Sequence, residues 1–333
     1  MIFLKPCDII QMEKINYRSE SGETSKMKIG IDLGGSHIAI GVVDNKGKIL
    51  EKVEKRITGT EKNNIKNVIE EYIFEKAEGF ISKYKITEIG IAIPGTVENG
   101  IVVKSVNLGL KNYEIVKNLQ NKIDLPIKIR NDAKCAALAE NVYGTLKGYN
   151  RSIFLTLGTG IGGAVIIDNK LLDTGGLPGC EFGHMIIEKN GRLCKCGKKG
   201  CWEKYASMKA FKDELRKILK VDERTSGKEL LDILRKLELK GKEQCKENSN
   251  SVEIKQLIED YIYYLSIGIS NLVNIFEPEA IGIGGSFVFY EEIFLEKLKR
   301  KILEDKLLFN ERKELIIQTA ILDNDAGMIG ATL

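Results

Sequence analysis

The sequence predicts an α/β protein made of two similar halves, and three observations carry that expectation. Strand-like and helix-like text alternate along most of the 333 residues. The chain matches itself at an offset of 124 positions: Ile29 falls on Ile153, Leu33 on Leu157, Gly34 on Gly158, Val43 on Ile167, and Asp44-Asn45-Lys46 on Asp168-Asn169-Lys170. A solenoid would repeat every ~20 to 50 residues, so one long offset points to a duplicated domain. Glycine, at 33 residues, is near a tenth of the chain against an average of ~7%, and it gathers in the turns of both repeats.

Each element follows from local pattern. Residues 1–26 are polar and aperiodic and predict a disordered N-terminal arm. Lys28 to Leu33 and Ile38 to Val43 are apolar runs joined by Gly34-Gly35-Ser36-His37, a hairpin with a glycine-rich turn. Val68, Ile69, Tyr72, Ile73, Ala77, Phe80, Ile81 and Tyr84 recur at helical spacing, and a strand from Glu88 to Ile93 then stops at Pro94-Gly95. A strand Pro126 to Arg130 runs into Asn131-Asp132, and Ala133 to Tyr143 continues as a helix. The second hairpin, from about Ile153 to Ile167, is followed by a Gly/Cys-rich loop over 174–201 and mostly helical text to 276, with a charged interval at 240–250. A strand Ala280 to Ile283 meets Gly284-Gly285-Ser286, a helix runs from about Tyr290 to Asp305, and a short strand and a helical end around Asp325 to Gly330 close the chain.

Composition removes several function classes. With 43% hydrophobic and 29% charged residues and 5 prolines, the chain has the make-up of a folded globular protein. A net charge of +4 lacks the clustered excess of a protein that coats nucleic acid, so no nucleic-acid partner is expected. The longest uncharged runs, Ser152 to Ile167 and Tyr261 to Phe276, fall short of the ~20 apolar residues of a membrane span. Met1 to Leu4 offers no signal-peptide core, which predicts a cytoplasmic protein with no membrane partner. In that reducing compartment seven cysteines are a metal-binding set rather than a disulfide framework where they cluster.

Cys194, Cys196 and Cys201 do cluster, and His184 lies ten positions before the first of them. Three thiols and an imidazole suit a tetrahedral structural zinc, and Gly197 and Gly200 let the loop fold around it. Cys7, Cys135, Cys180 and Cys245 lack such neighbours and are expected to be ordinary thiols. Glu181 and Glu203 bracket the metal loop, where they are either solvated carboxylates or acceptors for a hydroxyl-rich ligand. Gly158-Thr159-Gly160-Ile161-Gly162-Gly163 matches a dinucleotide fingerprint, yet the β-branched run Ala164 to Ile167 that follows is strand text, which disfavours a Rossmann site. The alternative is a hairpin whose backbone N–H groups cradle phosphate, with Gly34-Gly35-Ser36 as its repeat partner. Asp132 stands where a strand ends and a helix begins; it is either the helix N-cap or a base that takes a proton from a substrate hydroxyl. Asp32, at the end of the first strand, is placed near metal-bound phosphates in the second case.

On Asp32-Leu-Gly-Gly-Ser36, Asn131-Asp132-Ala133, Leu157 to Gly163, Glu181-Phe-Gly-His184 and Cys194-x-Cys196-Gly-x-x-Gly-Cys201-x-Glu203, residues 27–333 resemble the ROK family (repressors, open reading frames, kinases), a branch of the actin-like ATPase fold. The resemblance implies duplicated ribonuclease H-like domains around a central cleft: a small domain over 27–133, completed by a C-terminal helix at about 318–333, and a large one over 134–317 carrying the zinc loop. It implies an ATP:hexose 6-phosphotransferase, glucokinase-like, with Asp132 as general base. The sugar would be bound by Gly95, Asn107, Asn131, Asp132, Glu181, His184 and Glu203. ATP and Mg2+ would lie among Asp32, Gly34, Gly35, Ser36, Gly158, Thr159, Gly160, Gly284 and Gly285, and a homodimer or homotetramer is expected. Two departures stand out: many members have Thr-Lys where this chain has Ser36-His37, and Thr96 follows Gly95 where some N-acetylmannosamine kinases carry Arg, which tilts the expected hexose toward glucose. The rival class is a sugar-responsive transcriptional repressor, which adds an N-terminal helix-turn-helix domain that 26 polar residues are too few to supply.

Overall fold

In the computed structural model, which describes residues 26–172, 180–240, 249–310 and 315–333, the two repeats become two sheets of the same topology. The first half runs β1 (Met27–Leu33), β2 (His37–Val43), β3 (Ile49–Arg56), α1 (Ile65–Lys83), β4 (Ile86–Ile93), β5 (Thr96–Glu98), β6 (Ile101–Ser105), β7 (Leu110–Tyr113), α2 (Ile115–Gln120), β8 (Ile127–Asn131) and α3 (Asp132–Val142). The second runs β9 (Arg151–Leu157), β10 (Ile161–Ile167), β11 (Lys170–Leu171), α4 (Glu203–Ala206), α5 (Met208–Leu219), α6 (Gly227–Lys240), α7 (Ser249–Phe276), β12 (Ala280–Gly284), α8 (Glu291–Glu304), β13 (Ile316–Thr319) and α9 (Ala326–Ala331). The sheets are ordered β3-β2-β1-β4-β8 and β11-β10-β9-β12-β13. In each, the hairpin is antiparallel and the later two strands join in parallel. The hairpin strands begin and end 124 residues apart in the two halves, as the sequence offset predicts. The expected disordered arm lies outside the described residues.

The inner parallel strands are buried almost throughout, β4 from Ile89 to Ile93 and β12 from Ala280 to Gly284, because helices cover them. On α1, Ile65, Ile69, Ile73, Ala77 and Phe80 form one buried stripe that packs with the first sheet, each large aliphatic side chain contributing roughly 1.5–3 kcal/mol by burial. The second sheet is covered by α5, α7 and α8, whose Phe211, Tyr261 and Phe294 meet at ring-centroid distances of 4.8–5.1 Å. No helix among the described residues is long and apolar enough to cross a membrane.

Two features went unread in the sequence. β3 adds an edge strand to the first sheet, and β5-β6-β7 form a separate three-stranded sheet beyond Pro94-Gly95. The C-terminal helix α9 lies against β1, β4 and α3 of the first half. It comes so close that a Cβ on Gly90 of β4 would sit 1.8 Å from the Ala331 carbonyl oxygen, so only glycine fits there.

Glu140 ties the end of the second sheet to α3. Fully buried, it accepts hydrogen bonds from the N–H groups of Ile321 (3.0 Å) and Leu322 (2.9 Å) through Oε1 and of Thr145 (2.7 Å) through Oε2. Glu140→Ala leaves three part-buried donors without their carboxylate, at ~1–3 kcal/mol for a donor left unsatisfied, and is expected to lower unfolding stability by about 1–3 kcal/mol. Denaturant titration reads this directly; a loss under about 0.5 kcal/mol would mean that water takes the place of the carboxylate.

Candidate active site

A cleft of about 820 Å3 gathers residues from both halves. Gly95, Asn107, Asn131 and Asp132 come from the first, and Gly158, Thr159, Gly160, Glu181, His184, Glu203 and Gly285 from the second. Asp32, Gly34, Gly35, Ser36 and Gly284 are not in its lining. The first glycine turn nevertheless borders it, since a Cβ on Gly35 would touch the Asn107 side chain at 3.4 Å.

Asp132 is the first residue of α3, and the N-cap is its neighbour. Asn131, in extended backbone (φ −61, ψ 142), accepts from the N–H groups of Ala133 (3.0 Å) and Lys134 (3.2 Å) through Oδ1. Its Nδ2 donates to the Gly95 carbonyl at 3.1 Å, fastening the Pro94-Gly95 turn to the helix start. Asp132 Oδ1 accepts from Ala133 N–H at 2.9 Å. Desolvation pushes its carboxyl above the usual range against the pull of that N–H, with the Glu181 carboxylate adding to the rise. Asp32 is pushed up to about 7 by desolvation and then by Asp132, with the Lys52 ammonium opposing. Asp32 and Asp132 are hard oxygen donors of the type that Mg2+ takes.

Beside the cleft, the Sγ atoms of Cys194, Cys196 and Cys201 and a ring nitrogen of His184 all lie within 4.8 Å of one another. Cys196 and Cys201 Sγ are 3.5 Å apart, and Cys194 Sγ is 3.7 Å from His184 Nδ1, close to the ~3.7 Å edge of a tetrahedron built on ~2.3 Å metal–sulfur bonds. The donors therefore fit one tetrahedral metal ion. Burial pushes the Cys194 thiol up to about 12 and raises Cys201, while the Lys198 N–H lowers Cys196. His184 turns its other nitrogen, Nε2, toward Glu181 Oε2 at 3.9 Å. Glu203 joins this cluster to the second glycine turn: Oε1 accepts from the Cys194 thiol at 3.2 Å, and Oε2 would lie 2.7 Å from a Cβ on Gly160. Of the other cysteines, Cys135 and Cys180 are free thiols apart from the cluster, and Cys7 and Cys245 lie outside the described residues. Thr156, whose hydroxyl would meet a Cβ on Gly162 at 2.8 Å, lines the cleft without having been singled out in the sequence; an interior strand threonine carries no distinctive spacing.

A duplicated fold with glycine-rich hairpin turns, a strand-end aspartate and a Cys3His cluster at one cleft defines the class, and the chain belongs to the ROK family, whose model matches residues 28–333. It is 31% identical to a glucokinase of Thermotoga maritima over 91% of this chain and 95% of that protein. To a xylose repressor of Caldicellulosiruptor bescii it is 32% identical, over 91% of this chain and 76% of the repressor. Among solved structures, a ROK family glucokinase from Streptomyces griseus in complex with glucose and AMPPNP superposes with a TM-score of 0.72 at 28% identity, covering 92% of this chain and 97% of that one.

Proposed function

We propose that this protein is an ATP-dependent hexose kinase that phosphorylates the sugar 6-hydroxyl, with glucose as its preferred hexose. The observation that carries the reading is the position of Asp132, a desolvated carboxylate at the start of α3 between the Gly95–Asn107 side of the cleft and the Gly158–Gly160 turn. The raised affinity for a proton suits a group that accepts one from an alcohol in the transition state. As Asp132 takes the hydroxyl proton, the sugar oxygen bonds to the terminal phosphorus of ATP and the bond to the ADP oxygen breaks. The sugar is held by Gly95, Asn107, Asn131, Glu181, His184 and Glu203. The phosphates are held by the backbone of Gly34, Gly35 and Ser36, of Gly158, Thr159 and Gly160, and of Gly284 and Gly285, with Asp32 on the side of Mg2+. Zinc at His184, Cys194, Cys196 and Cys201 supplies a rigid frame that fixes Glu181 and Glu203. In this reading residues 27–133 with the C-terminal helix form one half of the clamp and 134–317 the other; the strand Ile316–Thr319 belongs to the second sheet, so the C-terminal contribution to the first half is α9 rather than all of 318–333.

The likeness to xylose repressors favours a second reading, a sugar-responsive regulator that binds without transferring phosphate. ADP release measured against a panel of glucose, mannose, fructose and N-acetylhexosamines separates the two. The kinase reading expects hexose-dependent ADP release that is fastest with glucose. Tight sugar binding with no ADP release from any hexose would support the regulator.

A further inference from the structure

A second basin, of about 840 Å3, adjoins the cleft and shares Gly158 and Thr159 with it. Its wall is cationic, with Lys209, Lys212, Arg216 and Lys217 on α5 and Lys220 just past the helix end. Most of these charges are already answered. Asp213 pairs with Lys209 at 2.6 Å and with Arg216 at 3.1 Å, and Glu214 takes Lys217 at 3.0 Å. Lys212 differs from its neighbours. It is half-buried, donates to the Ser286 hydroxyl at 3.2 Å, lies 5.2 Å from the centre of the Tyr290 ring, and has no carboxylate within salt-bridge distance among the described residues.

An ammonium has three donors, and the Ser286 bond uses one. A half-buried cation without a counter-ion is costly in the free protein, and burial, helped by Arg216, lowers the Lys212 pKa accordingly. The missing charge has an obvious entry, because Ser286 follows Gly284-Gly285 and the basin opens onto Gly158-Thr159. An anion in this basin shares its lining with Lys212, Ser286, Gly158 and Thr159.

We infer that Lys212 is a binding and specificity residue for the phosphoryl donor: its ammonium takes a non-transferred phosphate and so selects polyphosphorylated donors over neutral nucleosides. This rests on the kinase reading for the word donor, but its test does not require turnover. The bland account makes Lys212 a strut that holds Ser286 and Tyr290 in place; Tyr290 is held independently, its hydroxyl donating to the Gly227 carbonyl at 2.6 Å.

The experiment is calorimetric titration of the full chain and of Lys212→Met and Lys212→Arg with ADP, inorganic tripolyphosphate, adenosine and glucose. Loss of a hydrogen bond to a charged group predicts roughly 10- to 100-fold weaker ADP and tripolyphosphate binding in Lys212→Met. Adenosine and glucose affinities stay within about twofold, and Lys212→Arg restores much of the anion affinity. Unchanged tripolyphosphate binding in Lys212→Met, or a wild-type protein that binds no tripolyphosphate, overturns the inference. An equal loss of adenosine and ADP overturns it in favour of the strut. Should the wild type bind tripolyphosphate through Lys212 yet turn over no hexose, the kinase reading fails and the anion site stands.

Discussion

Asp132→Asn is expected to leave hexose affinity within a few-fold of wild type while turnover falls by roughly 100- to 10,000-fold, the contribution of a positioned general base. The substitution keeps the side-chain volume and an oxygen to accept from Ala133 N–H, so the start of α3 is preserved. Helix capping does not confuse the result, because the cap is Asn131, whose Oδ1 serves the N–H groups of Ala133 and Lys134. What α3 loses is one negative charge in its first turn, worth ~0.3–1 kcal/mol of helix-dipole stabilisation. Removing the carboxylate also takes away one of the charges that raise Asp32, so the Asp32 pKa should fall somewhat while burial, the larger cause, still holds it up. Steady-state kinetics with a separate glucose titration checks the main claim. Turnover within threefold of wild type at intact affinity would exclude Asp132 as the base.

The parts of the fold legible in the sequence are those buried on both sides. β1, β2, β9 and β10 are rich in Ile, Leu and Val because most of their residues are buried, and the same demand on both halves kept the 124-residue offset visible. β3 was not legible for the opposite reason: Ile49–Arg56 is an edge strand with no fully buried residue, so its composition follows solvent rather than core. β5 to β7 are three to five residues each, too short for a period to register, although they form the sheet beside the Gly95 turn. The metal cluster was readable because three of its four ligands fall within eight residues, so chain connectivity alone brings them together. Which of Asn131 and Asp132 caps α3 was not, since either residue type serves and only the backbone angles at 131 decide. Lys212 was equally hidden. On the sequence it is one of several lysines of an amphipathic helix, and only the packing of Tyr290 and Ser286 around it sets it apart.

Stripping the metal is expected to weaken sugar binding and lower the melting temperature together while leaving the two sheets folded. The segment from Ile186 to Lys199 contributes few side chains to the core, Ile186 being 60% and Leu193 67% exposed, and it is held by short local backbone hydrogen bonds, two isolated bridges and the Arg192 contacts to Tyr205 and Lys204. A metal bound there would add to its folding free energy, the zinc-peptide scale of ~10–16 kcal/mol being an upper bound. Beyond Cys201 the chain is anchored without metal, because Trp202 is fully buried, donates from Nε1 to the Tyr264 carbonyl at 2.8 Å, and pairs its own N–H with Met185 O at 2.8 Å. Loss of the ion should thus unfold the loop and stop at Trp202. His184 and Glu203 sit at that border, Glu203 through its bond to the Cys194 thiol, so the sugar side of the cleft loses its frame while the glycine turns keep theirs. The expected result of chelation, or of Cys201→Ser, is a roughly 10- to 100-fold loss of glucose affinity with a lower melting temperature, near-native far-ultraviolet circular dichroism and tripolyphosphate binding retained. Metal analysis should find one zinc per chain before treatment. Purified protein that contains no zinc, yet binds glucose and melts as the untreated protein does, would leave the four ligands as a cluster of free thiols and an imidazole.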